Sequence, residues 1–224
     1  MDESEACDWL VWQLADSAFP SGGFAHSGGL EAAWQLGEIS ERSELVSYMD
    51  AAMEQASCGA LRLVLATLEE PARAGEFDRI AEAFLTNHVS NRASRSQGKA
   101  LMAAMGRIFI RSHPPSVQEN TVPLPFCHLS TVFGFWLHRL GIPQRSAARL
   151  FMFHQLRGLI AAAVRLGAIG PMDGQLLQHS FAKRADSLSR QTSMKSIADL
   201  TQITPLIDLW QGAQDQLYSR LFQS

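Results

Sequence analysis

Apolar residues recur every three or four positions through most of the chain, and strand-like alternation is scarce, so the pattern predicts an all-α protein. A first helix is expected from about Asp8 to Asp16, ending in the loop Phe19-Pro20-Ser21-Gly22-Gly23-Phe24. A second starts near Ser27 and runs to about Leu36. A third, from near Ser43, puts Leu45, Met49, Ala52, Met53, Ala56, Ala60, Leu63 and Val64 on one stripe. Pro71 and Gly75 punctuate the chain, and the next helix carries Phe77, Ile80, Ala81, Phe84, Leu85, His88 and Val89. Asn91 or Ser94 then opens a helix that buries Leu101, Met102, Met105, Ile108 and Phe109.

After the Pro-rich stretch His113 to Pro125, read as a loop, a helix is expected from about Leu129 to Leu140, stopped by Gly141. Pro143 suits the first turn of the following helix, where its missing N–H does no harm. That helix, roughly residues 143–167, is apolar on most of its circumference, as a central helix wrapped by the others would be. Gly167 ends it, and Gly170-Pro171 opens a helix through Leu176, Leu177 and Phe181. A shorter helix is expected over Ser193 to Leu200, and a last one from Pro205 with Leu206, Trp210, Ala213, Leu217 and Leu221 aligned. The expected architecture is one compact bundle of about nine or ten helices, a single domain over residues 1–224.

Composition narrows the class. With 46% hydrophobic and 18% charged residues the chain is too apolar for disorder. Its formal net charge of −3, with basic residues scattered, disfavours nucleic acid and anionic membranes as partners. The acidic start Met1-Asp2-Glu3-Ser4-Glu5 is unlike a signal peptide, and no apolar run is long enough to span a bilayer. Three widely spaced cysteines, Cys7, Cys58 and Cys127, imply no disulfide framework, so a reducing, cytoplasmic location is expected.

Candidate chemistry is sparse. No two histidines have the three- or four-residue spacing of a helical metal site, and no CxxC or HExxH occurs. No GxSxG elbow is present, and the glycine-rich loop lacks the Lys and Ser/Thr of a phosphate-binding loop. Neither a catalytic group nor a cofactor is therefore expected. Ser27 is read as the cap of the second helix, and Glu31 as a first-turn carboxylate favourable to the helix dipole. The tryptophans Trp9, Trp12, Trp34, Trp136 and Trp210 read first as core and second as interface anchors.

The run from Leu14 to Glu31, LADSAFPSGGFAHSGGLE, closely resembles the N-terminal signature of the UreF family of urease accessory proteins. Asn91-Arg92-Ala93-Ser94 with Gln97-Gly98 resembles that family's Arg…Gln-Gly helix. Residues Ala161 to Gly167 with Gly174-Gln175 resemble its central helix and following turn, although Pro171-Met172-Asp173 intervenes. The end, Ser219-Arg220-Leu221-Phe222-Gln223-Ser224, resembles its Arg-Leu-Phe-x-Ser terminus.

The resemblance implies an all-α, non-enzymatic chaperone that tends to dimerise. It implies binding to UreD (also called UreH), recruitment of the GTPase UreG to apo-urease, and regulation of GTP-dependent nickel insertion. It assigns Asp16, Pro20, Gly22, Gly23, Phe24, His26, Ser27 and Glu31 to a shared partner-binding surface or its support, joined by Gln175. Glu31 and Arg165 are expected to make polar contacts governing the GTPase. Arg220, Leu221 and Phe222 are expected to order on binding UreD. Two other readings stay open: a helical enzyme with a metal site assembled from His26, His128 and His154, and a helical adaptor outside the urease pathway.

Overall fold

The computed structural model describes residues 3–20, 26–110 and 124–223. Among them the chain forms ten α-helices and no strand: α1 (Glu3–Ala15), α2 (Leu30–Gln35), α3 (Arg42–Cys58), α4 (Ala60–Glu69), α5 (Ala74–Phe84), α6 (His88–Met105), α7 (Leu129–Arg139), α8 (Gln144–Arg165), α9 (Pro171–Thr192) and α10 (Pro205–Ala213). The all-α expectation holds, and among the described residues no helix is long and apolar enough to cross a membrane.

Helix α8 is the centre. It packs against α9, α4, α3, α1 and α2. Its buried residues include Ala147, Ala148, Leu150, Phe151, Met152, Leu156 and Ile160, which cover more than one face. A fully buried side chain such as Phe151 or Leu156 contributes about 1.5–3 kcal/mol of transfer free energy. One apolar cluster extends from Leu14 to Phe222, and a small satellite of Leu63, Phe77 and Ala81 lies beside it.

Local chemistry sets several boundaries differently from the apolar spacing. The third stripe is two helices, α3 and α4, broken at Gly59 (φ −108°, ψ −95°). Both halves face α8, so the spacing of buried residues runs on across a backbone break. Gly75 lies inside α5 rather than before it. The stripe from Phe77 to Val89 is also two helices, because the Asn87 side chain accepts from Val89 N and Ser90 N at 2.9 and 3.2 Å. Asn87 therefore caps α6, which begins at His88 and not at Asn91 or Ser94. Pro143 occupies the position just before α8.

Near the end, only a short 3₁₀ turn, Ile197–Asp199, forms within Ser193 to Leu200. The final helix stops at Ala213, so Leu217 and Leu221 lie beyond it. Ile207 faces inward there, while Leu206 is exposed. The stretch His113 to Pro125 falls mostly outside the described residues.

Two long-range devices fix the middle of the fold. Asp78 of α5 is fully buried, and its Oδ2 accepts from Phe126 N and Cys127 N at 2.7 and 3.0 Å. Its Oδ1 accepts from His128 N and Thr131 Oγ1 at 2.9 and 2.6 Å. One carboxylate thus serves the free N–H groups where the chain enters α7. Gly98 of α6 lies directly against the same segment, and a Cβ there would stand 1.9 Å from the Cys127 carbonyl oxygen.

Candidate functional site

Two glycines prepare α2. Gly28 and Gly29 both have positive φ, 65° and 95°, and a Cβ on Gly29 would come within 2.9 Å of Gln211 Cγ on α10. The Gly28 carbonyl accepts from Tyr48 Oη at 2.7 Å and from Gln211 Nε2 at 3.1 Å. This turn therefore lies against both α3 and α10. Ser27 is not the cap of α2. That position belongs to Gly29, with no side-chain cap, and Ser27 is buried with its carbonyl accepting from Leu30 N at 3.3 Å.

Glu31 follows in the first turn, 0% exposed. Its Oε1 accepts from Leu221 N at 2.5 Å and from Gln35 Nε2 at 3.3 Å. Its Oε2 accepts from Gln214 Nε2 at 2.5 Å and from Phe222 N at 3.2 Å. The Arg165 guanidinium lies over the Phe222 ring, 4.7 Å from its centroid, and Phe222 is buried. Gln35 also donates to the Ser219 carbonyl at 3.1 Å.

Glu31, Arg165, Leu221 and Phe222, which lie far apart in sequence, thus meet at one place. The carboxylate satisfies backbone donors that would otherwise be stranded, each worth about 1–3 kcal/mol if buried without a partner. The terminal segment, expected to order on binding UreD, is seated on its own chain. Glu31 is buried, and its carboxylate meets the tail. What faces outward is Arg220 and the half-exposed Leu221. Arg220 pairs with Asp215 at 3.1 Å, and Asp215 pairs with Arg92 of α6 at 2.8 Å.

The other expected site residues are placed variously. Asp16 closes the turn after α1, its Oδ1 accepting from Ala18 N at 2.8 Å, and Pro20 is exposed. Gly22, Gly23 and Phe24 lie outside the described residues. Gln175 is exposed on α9 and takes no part in the contacts around Glu31. Gln35 and Gln214, which sequence reasoning did not single out, are the side-chain donors that complete the Glu31 site.

His26 and His154 border a cavity of about 160 Å³ that also touches Phe133, Phe151 and Arg157. Burial, and then the charge of Arg157, push the His154 imidazole down to about 4. Burial, and then Arg92, lower His26. Arg157 lies 3.2 Å from His154 Nδ1 and donates to the Ala15 carbonyl, tying α8 to the end of α1. His128 does not join them: its ring is fully buried between Ser94 Oγ at 3.1 Å and Glu82 Oε2 at 2.8 Å. The three histidines considered as a folded metal site do not converge, and among the described residues no group of three His, Cys, Asp or Glu could hold a metal ion.

Of the tryptophans, Trp136 is core and its Nε1 donates to Met102 Sδ at 3.1 Å, while Trp34 and Trp210 are partly buried. Trp9 and Trp12 are 65% and 57% exposed and meet edge to face on α1, so they are not core.

A model of the UreF family matches residues 1–182. The chain belongs to the UreF family. A protein of Oryza sativa subsp. indica named urease accessory protein F is 35% identical over 219 residues, spanning 96% of this chain and 84% of its own length. One of the same name from Arabidopsis thaliana is 33% identical over 233 residues, spanning all of this chain and 96% of its own. Urease accessory protein UreF of Mycobacterium tuberculosis (strain ATCC 25177 / H37Ra) is 26% identical over 215 residues, spanning 96% and 98%. The UreF match takes in the segment from Asp16 to Glu31, Arg165 and Gln175, and stops before the seated tail at Arg220 to Phe222.

Proposed function

We propose that the chain is a cytoplasmic urease accessory protein that acts as a single helical unit, by docking rather than by chemistry of its own and without a resident cofactor. In this reading it binds UreD (UreH), and the pair recruits the GTPase UreG to apo-urease and regulates GTP-dependent nickel insertion. Pairing of two copies belongs to the same reading. Family membership and the names of the relatives support the urease role.

One observation carries the docking mode. The segment richest in family signature ends at Glu31, and Glu31 fastens the far end of the chain. With its backbone pinned and Phe222 held under Arg165, the tail presents Arg220 and Leu221 in a fixed geometry. Presenting side chains on an ordered backbone lowers the ordering cost of binding. Glu31 is accordingly a positioning residue, and Arg165 and the tail form the contact surface.

The test is reconstitution of UreD, UreG and apo-urease with and without this chain, following GTP hydrolysis and nickel loading together. Loss of coupled hydrolysis and loading on omission is expected. Equal maturation without the chain would overturn the reading.

A further inference from the structure

Helix α6 carries His88, Arg92, Arg95 and Lys99 at steps of four, three and four residues, and no acidic residue from end to end. Such spacing sets all four on one face. At a rise of 1.5 Å per residue the stripe is about 16 Å long. It lines an open groove with Asn91 and Ser96 of the same helix and Glu82 of α5.

Two carboxylates already lie on this face. Asp215 sits among His88 Nε2 at 3.2 Å, Arg92 at 2.8 Å and Arg220 at 3.1 Å. Glu82 lies 3.7 Å from Arg95 and is also engaged by the ring of His128. Arg92, Arg95, Lys99 and Arg220 thus outnumber the two carboxylates, on a chain whose net charge is −3. Lys99 is exposed, and no ion pair reaches it among the described residues. Asp215 shows within the chain what this surface accepts, a carboxylate spanned by two arginines.

We propose that the Arg92–Arg95–Lys99 face of α6 docks an acidic segment of a partner protein, one that presents several carboxylates in a row. The length of the stripe favours such a series over a single small anion. Cations spread along a rim steer association and make it salt-dependent. The inference rests on the docking reading and names a surface for it.

The experiment measures binding of purified UreD, UreG and apo-urease, each alone and in combination, to wild type, to Lys99→Glu and to Lys99→Glu with Arg95→Gln, at low and raised salt. Thermal melts check that the variants fold. Lys99 alone is the cleaner probe, because Arg95 also lies over the Phe126 ring. Lys99→Glu is expected to weaken one of these associations by about threefold to tenfold at low salt, with the difference shrinking as salt rises. A poly-glutamate peptide should compete with wild type and lose that effect on the double variant. If folded variants bind every partner as wild type does, the inference fails and docking stands. If inorganic phosphate or an oligonucleotide displaces the partner as well as poly-glutamate does at equal ionic strength, the face is a general anion site and the inference fails. If wild type binds none of the proteins, the docking reading fails and takes the inference with it.

Discussion

The backbone N–H of Phe222 donates to the carboxylate of Glu31 across 191 positions of sequence. This bond and its neighbour from Leu221 fasten the tail to α2. Glu31→Ala removes the acceptor for both and strands the Gln214 amide. Because the tail can peel into water, the cost is expected to stay near 1–3 kcal/mol rather than summing over every lost bond. The helical circular-dichroism signal should persist while carboxypeptidase trims the terminus faster. Wild-type protection of the terminus in Glu31→Ala would show that the carboxylate does not hold it.

How much of this could be read from the sequence depends on range. The all-α class and the central helix followed from local periodicity, because α8 buries residues on several faces and its composition says so. The position of Glu31 in a helical first turn was also legible. Its burial was not, since nothing near residue 31 signals that the chain returns there almost two hundred positions later. The breaks at Gly59 and Asn87 were hidden because apolar spacing reports which face is buried, whereas caps and backbone angles decide where a helix stops. Asp78 stood unnoticed beside Phe77 in an apolar stripe, although a carboxylate at such a place must find donors.

Asp78→Asn tests that last point. The carboxamide keeps one acceptor and turns a donor toward backbone N–H groups that Asp78 now satisfies. In its better orientation the amide nitrogen faces the His128 N–H and the Thr131 hydroxyl, which can accept, so one buried backbone donor is stranded at a cost of about 1–3 kcal/mol. Urea unfolding measures it, and a loss below about 0.5 kcal/mol, the range of an ordinary surface change, would refute the capping role.

Glycines in α6 and α8 are expected to respond in opposite directions. Gly98→Ala would force a Cβ to within 1.9 Å of the Cys127 carbonyl oxygen, so α6 and the entry to α7 must part. A loss of about 3 kcal/mol is expected, lowering the melting temperature by about 6–12 °C. At Gly158 of α8 nothing lies within 4 Å of where a Cβ would stand, and Gly158→Ala should raise stability by up to about 1 kcal/mol. Calorimetry of both variants decides, and equal shifts would remove the close approach as the cause.

Acid stability should depend on His154. Burial and Arg157 hold its folded-state value near 4, against 6.5 for a free imidazole. Between these values the unfolded chain binds the proton and the folded chain does not. The contribution of the neutral, buried ring is therefore whole above about pH 6.5 and shrinks as pH falls toward 4, below which it no longer changes. The full difference is worth at most about 3 kcal/mol. His26 and His128 are lowered as well, chiefly by burial, and so add to the same slope. His154→Gln keeps a polar partner for Arg157 but cannot titrate. Urea midpoints followed from about pH 7 to about pH 4 should fall less steeply for this variant than for wild type. Identical slopes would mean that the ring is protonated in the folded protein or solvated in the cavity.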